Sequence, residues 1–527
     1  MTTSTEPRHR AGPREWLGLA VLALPTLLLS IDVSVLHLAV PHVSASVNPS
    51  ASQMLWIIDI YGFVIAGFLV TMGTLGDRIG RRKLLLIGAA AFGIASVAAA
   101  YATDPVVLIA ARAALGVAGA TLMPSTLALI VNMFRDEQQR GVAIAIWVTM
   151  FSLGIAIGPV VGGAMLELFW WGSVFLLGVP IMLLLLVVGP ILLPEYRDPD
   201  AGRLDLASVG LSLAAILPIV YGLKELANNG IGAVAVLTIV IGLALGVLFV
   251  RRQRTLTSPL LDLGLFSNRT FATALVALLV SMFIAGGTYL FVTQYLQLVS
   301  GLSPMKAGLW LLPAAFALII TAVVAPMATR WLRPAYVVAI GLAVSAVGHL
   351  MLSLTDSHAD QNQVVIGFML VYAGGGPLIA LGTDLVVGSA PAEQAGSASA
   401  LSETSTELGM ALGVAVLGSI GTAVYRSQLS VPGDIPAAAA EGSKDALSGA
   451  VAEAQGLTAD LATSLLTPAR DAFTSGMNFV GALGVVLALA TAVVVALVIK
   501  TPASGTDEQP QTETEPPATP QDAALSK

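Results

Sequence analysis

The 527-residue sequence contains no cysteine, which excludes disulfides, thiolate metal sites and cysteine nucleophiles together. Charge is nearly as scarce. Asp, Glu, Lys and Arg make up 11% of the chain, against about 25% in an ordinary soluble domain. Histidine is confined to His9, His37, His42, His349 and His358. No two of these have the spacing of helical metal ligands, so no metal is expected. Neither a nucleophile motif nor a phosphate-cradling loop is present to support enzyme chemistry, and no nucleic-acid partner is expected. What fills the chain is apolar: 56% hydrophobic residues and a mean hydropathy of +0.86. Such side chains are solvated by membrane lipid. The net charge of -7 carries little information here, because topology depends on where the charges fall.

A membrane helix needs about 20 mostly apolar residues to cross about 30 Å of hydrocarbon. Runs of this kind occupy 16–40, 54–75, 84–102, 105–131, 141–166, 172–193, 205–227, 231–250, 270–299, 305–329, 335–354, 363–388, 397–425 and 475–499. The sequence therefore predicts an all-α membrane protein of fourteen transmembrane helices. The eighth run is short and glycine-bearing. The first run is too long for a signal peptide and carries Asp32, so it is read as a retained span. With a cytoplasmic N-terminus, Lys and Arg concentrate in the inside loops, and the outside set holds only Lys224, Lys306, Arg426, Lys444 and Arg470. Both termini are then cytoplasmic, in a multi-pass protein of the bacterial plasma (inner) membrane. Residues 1–14 and 501–527 are polar tails expected to be disordered. The external loop 427–473 is expected to form a helical hairpin with arms 437–455 and 457–466, broken at Gly456 and Pro468.

A repeat lies in the loops. Setting Arg330 on Arg78 also sets Arg333 on Arg81, each pair following an even-numbered span. Helices 1–6 then correspond to helices 9–14, with helices 7 and 8 inserted. The chain divides into a six-helix bundle over 15–194, two inserted helices over 195–258, and a second six-helix bundle over 259–500. This 6+2+6 plan is that of two parallel halves with substrate bound between them, which favours alternating access over a channel.

Ionisable groups inside spans are costly, and each marks a candidate site. Asp32, Asp59, Arg112, Asp384, Glu403 and Glu407 are of this kind. At 1.5 Å per residue, Asp32 lies about 24 Å from the start of its span at Trp16. Asp59 lies about 7 Å below Met54 and Arg112 about 10 Å below Pro105, so all three share one outer-half layer. Asp384 falls near the cytoplasmic end of its span and reads as an interfacial acid. Glu403 and Glu407 are spaced i,i+4 on one helix face, and Glu407 is about 15 Å deep, near the midplane. Removal from water favours the uncharged form of a carboxyl group, which suits one to carry protons near neutral pH. The same negative charge can hold an organic cation instead. Trp56 and Tyr61 flank Asp59, where a cation could rest on a ring while facing the acid, although an interfacial aromatic belt would look alike. His37 and His349 read as hydrogen-bonded residues between helices.

Short motifs complete the pattern. Span 5 carries Gly154, Gly158 and Gly162 at four-residue intervals with Pro159 and Gly163, a smooth face for a close helix neighbour. After span 2 stands Gly73-Thr-Leu-Gly-Asp77-Arg78-Ile-Gly80-Arg81-Arg82. With Leu29 to Pro41, Trp56 to Tyr61, Arg112 to Gly119, Ser303 to Pro313 and Ser402 to Gly409, these motifs occur in order along the chain. Together they resemble the 14-helix drug:proton antiporter family of the major facilitator superfamily, especially its quaternary-ammonium and multidrug exporters. The resemblance implies a proton-coupled antiporter exporting lipophilic organic cations, driven by the proton gradient without a cofactor. It implies proton-coupling roles for Asp32, Glu407 and Arg112, with Asp59 and Glu403 in drug recognition. Asp77, Arg78, Arg81 and Arg82 would latch an inner gate, and the span 5 glycines would govern closure. Small organic cations, protons and membrane lipid are the expected partners of a monomer. One departure stands out: those exporters carry an acid in span 10 that is associated with divalent cations, and here Leu318 occupies about that place. Dications are therefore expected to be exported less well than monocations. The alternative on the same fold is an exporter of one endogenous metabolite, antibiotic or lipid.

Overall fold

A computed structural model describes residues 11–197, 205–230, 232–256, 263–357, 360–390 and 395–499. The two polar tails lie outside them, apart from residues 11–14. The first half contains α1 (Pro13–Val47), α2 (Ala51–Ile79), α3 (Arg81–Ala100), α4 (Pro105–Met133), α5 (Glu137–Leu168), α6 (Ser173–Leu176) and α7 (Gly178–Leu192). The inserted pair is α8 (Leu206–Asn229) and α9 (Ala233–Thr255). The second half contains α10 (Arg269–Gln294), α11 (Pro304–Ala328), α12 (Pro334–Ser353), α13 (Gln361–Gly388), α14 (Ala395–Gln428), α15 (Ala437–Ser443), α16 (Leu447–Ala454) and α17 (Ala459–Val498). No strand occurs among the described residues.

Polar residues at the edges of the apolar runs start these helices. Ser50 and Gln53 form a reciprocal capping box on α2. Asp104, with Pro105 behind it, caps α4, and Ser303 with Pro304 does the same for α11. Asp136, Asp205, Asn268 and Asp360 cap α5, α8, α10 and α13. Each cap satisfies N–H groups that the first turn of a helix leaves without an intrahelical partner.

Thirteen helical segments among the described residues are long and apolar enough to cross a membrane. The sixth joins α6 to α7, and the ninth continues α10 through a π turn to Val299. The shorter apolar stretch Ala207–Leu223 in α8 completes fourteen. The short member is thus the seventh, whereas the eighth, α9, runs to Thr255 because its basic end stays helical.

The external loop differs from a simple hairpin. Its first arm breaks into α15 and α16, and the second arm is the first turns of α17, which continues through Pro468. Proline forfeits one helix bond there. The turn before it is held by Leu465, buried with Ile435 and Ala439 in a small core of the loop's own.

Helix packing reproduces the repeat. α1 lies on α5 as α10 lies on α14; α2 meets α4 as α11 meets α13. α3 packs on α4 and α7 as α12 packs on α13 and α17. The halves meet most extensively at two crossings, α2 with α14 and α5 with α11, which exchange under the same correspondence. α8 pairs with α9 and leans on α2 and α14. One end of the bundle carries Arg14, Arg81, Arg82, Arg330 and Arg333 and is called the basic face below. The opposite face carries α15 and α16.

Candidate functional site

Arg112 projects from α4 between α1 and α2 with only 1% of its side chain exposed. Its Nη1 donates to Asp32 Oδ2 at 2.7 Å and its Nε to the Ile57 carbonyl at 3.3 Å. The Tyr61 ring covers the guanidinium at 4.4 Å. A buried charge needs both a counter-ion and hydrogen bonds, and α1 and α2 supply them here. Asp59, 2% exposed, lines a cavity of about 30 Å³ with Arg112, His37 and Glu407. The structure thus brings Asp32, Asp59 and Arg112 into one layer.

Glu407 on α14 lines this small cavity and also a larger one of about 270 Å³ between the halves. It therefore stands in the wall between the charged layer and the central space. The larger cavity is apolar and aromatic. Tyr289 on α10 meets His37 on α1 edge-on, with centroids 4.8 Å apart, and its hydroxyl donates to the Ser34 carbonyl at 3.2 Å. Phe368 on α13 lies 6.0 Å from Tyr289 and 4.4 Å from Tyr372. Leu318 on α11 lines the same space, so the position where an acid is lacking is a cavity wall.

Several sequence-based expectations are redrawn. Asp59 and Tyr61 line the small cavity together, and Trp56 is not among its lining residues. Trp56 packs toward Phe63 and Ala411, where α2, α8 and α14 meet, and Tyr61 is taken by Arg112. Helix rise gives depth but not which neighbour each helix face meets. Glu403 lies one turn from Glu407 toward the basic face, and it is not among the residues found on either cavity wall. His349 does bridge helices: Nδ1 donates to the Ser345 carbonyl at 2.8 Å, and Nε2 then accepts from Thr288 at 3.1 Å. His37 does not match the expected hydrogen-bonded histidine, since its buried Nδ1 finds no partner among the described residues. Sequence reasoning missed Tyr289, Phe368 and Tyr372. The signal was available: tyrosine in mid-span, far from the interfacial belts where it is usually at home.

The span 5 glycines face α1. A β-carbon on Gly154 or Gly158 would overlap Ser30 or Ser34, and one on Gly162 would lie 2.6 Å from Val35. Gly163 instead meets α11, where the same atom would lie 2.6 Å from the Pro304 carbonyl, and Gly308 presses on the Pro159 carbonyl. The Gly163 and Gly308 contacts, with the Tyr289 to Ser34 bond, close the halves together toward the opposite face.

At the basic face, Arg81 binds Asp77 at 2.6 Å and donates to the Pro124 carbonyl at 3.3 Å. Arg82 reaches Glu195 at 3.6 Å and the Leu193 carbonyl at 2.9 Å. Gly80 has φ of +111°, which only glycine adopts readily, and Glu195 occupies the space a side chain would need. Gly73 sits beside Pro124, and Arg78 is exposed. All these described contacts stay within the first half.

Two pseudo-symmetric bundles, an intramembrane ion pair and a cavity at their interface are the architecture of a membrane transporter. A family model described as Major Facilitator Superfamily matches residues 22–414, and the chain belongs to that superfamily. It is 45% identical over 94% of its length to the multidrug efflux pump LfrA of Mycolicibacterium smegmatis, covering 98% of that protein. It is 35% identical to the methyl viologen resistance protein SmvA of Salmonella typhimurium, over 87% of this chain and 93% of that one. The puromycin resistance protein pur8 of Streptomyces alboniger is 30% identical, over 86% and 92%. Among solved structures, a bacterial homologue of the lysosomal transporter Spinster, inward-facing and unoccupied, has the same fold. Its TM-score is 0.66 at 15% identity, covering 94% of this chain and all of the other. The protein is a multi-pass protein of the bacterial inner membrane.

Proposed function

We propose that this transporter exports lipophilic organic cations in exchange for protons, by alternating access and without a cofactor. The observation that carries the reading is the place of Glu407, in the wall shared by an aromatic cavity and a buried layer of ionisable groups. A cation entering the larger cavity meets ring faces and one carboxylate. A proton on Glu407 cancels the charge that held it. Asp32 and Arg112 lie on the far side of the same wall, where a change in one charge alters the field at the other. The cavity, at about 270 Å³, is near the lower end of the ~300–1,000 Å³ typical of small-molecule sites. Export, quaternary-ammonium substrates and a monomeric state belong to this reading, as does a cytoplasmic basic face, which the excess of Lys and Arg there supports. The named activities of LfrA and SmvA, a multidrug efflux pump and a methyl viologen resistance protein, also support it.

The test is ethidium movement in liposomes holding the purified protein under an imposed pH gradient. Wild type should move the dye only with the gradient present, and Glu407→Gln or Asp32→Asn should abolish that movement. A second reading, export of one endogenous metabolite, is favoured by relatives named for single antibiotics, such as puromycin and tetracenomycin C. Failure of every cation tested, with the protein folded, would select it.

A further inference from the structure

The inserted helices leave a groove of about 640 Å³ along their joint. Ala215 and Ile219 of α8 and Val247 of α9 line it, with Gly246 on its floor. Two glycines one turn apart shape it. A β-carbon on Gly242 would lie 2.7 Å from the Ala215 carbonyl, so the helices touch there. At Gly246 the nearest atom would be the Ala215 β-carbon, 3.8 Å away, so the helices have parted.

The basic-face end of the groove is lined by Arg251 and Arg254. Helical phase separates them from their neighbours. Arg252 turns inward to Asp205, with bonds of 2.8 and 3.0 Å, and Gln253 donates to Ser208 at 2.7 Å. This clasp fixes the end of α9 against the start of α8. Arg251 and Arg254 are left exposed, and neither has an ion pair among the described residues. From Gly242 to Arg254 the helix rises about 18 Å, close to the ~15 Å of one leaflet.

We propose that this groove holds one anionic phospholipid, with an acyl chain along Gly246 and Val247 and the phosphate between Arg251 and Arg254. Charge decides the occupant. A second copy docked by two-fold symmetry would bring the same arginines together and repel. A zwitterionic lipid would bring its own ammonium to two guanidiniums. An anionic headgroup answers both charges, and the apolar groove solvates its tail.

Native mass spectrometry of the full chain tests this, titrating phosphatidylglycerol against phosphatidylcholine of the same acyl chains. Wild type should keep one phosphatidylglycerol with about 30-fold preference, the worth of two arginines near an anionic headgroup. Arg251→Ala with Arg254→Ala should lose that preference. Gly246→Leu, which has room for its β-carbon, should exclude both lipids from the site. High salt should erase the preference in wild type, an arm that needs no variant to fold. Equal retention of the two lipids by wild type would overturn the proposal. So would a preference that survives the double substitution, or a dimer that Gly246→Leu dissociates.

Discussion

Arg112 lies in a place where a guanidinium survives only with every direction answered: Asp32 on one side, the Ile57 carbonyl on another, the Tyr61 ring across its face. Removing one partner of such a pair leaves the other charge buried alone. Arg112→Ala should therefore cost roughly 3–5 kcal/mol of stability, read as a fall in the thermal midpoint of the purified protein. Combining it with Asp32→Asn should restore much of the loss, and strict additivity would contradict the coupling. Leu318 offers the complementary experiment, because it lines the cavity without a charge. Leu318→Glu should raise methyl viologen export relative to ethidium by roughly tenfold, the scale of one partly hydrated charge pair. Substrate competition in vesicles would measure it, and an unchanged ratio would reject the role given to this wall. The depth of Asp32, Asp59 and Arg112 was legible because helix rise is fixed. The direction of Trp56 and Tyr61 was not, since it depends on which neighbour each face meets. Tyr289, Phe368 and Tyr372 come from α10 and α13, and only packing brings them onto the cavity with His37 of α1.

At the scale of elements, α5 is the helix with least freedom. Its glycines admit α1 along one stripe, and Gly163 admits the α11 backbone beside it. Gly163→Ala should push α11 away and leave the opposite face unsealed. The expected readout is an ethidium leak without a gradient several-fold above wild type, with expression retained. The α8–α9 clasp bears on pH in a different way. Hydrogen bonds from Arg252 hold the Asp205 carboxyl at about 2, below its ordinary 3.8. A lowered carboxyl stabilises fully above the ordinary value and loses its effect only as pH falls through the lowered one. The clasp therefore stays closed near neutral pH. Asp205→Asn should leave the pH midpoint of transport in place while speeding amide exchange at the start of α8, roughly fivefold. Span number was legible because hydrocarbon thickness sets helix length. The outer loop was read less well, because Pro468 looks like a break until the buried Leu465 holds the preceding turn.

At the scale of the whole molecule, the repeat showed in the sequence as two arginine pairs, and in space as six-helix halves with matching neighbours. The two arginine pairs are all the loops share, while the order of helix packing is common to both halves. Their closure can be tested directly, because a chain without cysteine accepts an introduced pair cleanly. Glu167 and Ser303 face each other across the α5–α11 crossing at 3.4 Å. Glu167→Cys with Ser303→Cys, joined by a short thiol cross-linker, should stop transport until a reductant is added. Undiminished transport after complete cross-linking would mean that these ends need not separate. The two crossings differ in what they are made of. α5 meets α11 through backbone at Gly163 and Gly308, whereas α2 meets α14 through side chains, with Leu55 set against Gly418 and Ala411 against Gly62. Side chains can be exchanged and repacked; a backbone contact has nothing to exchange. A substitution in the α2–α14 joint can therefore be absorbed by turning a neighbouring side chain, while one at Gly163 or Gly308 must shift a whole helix.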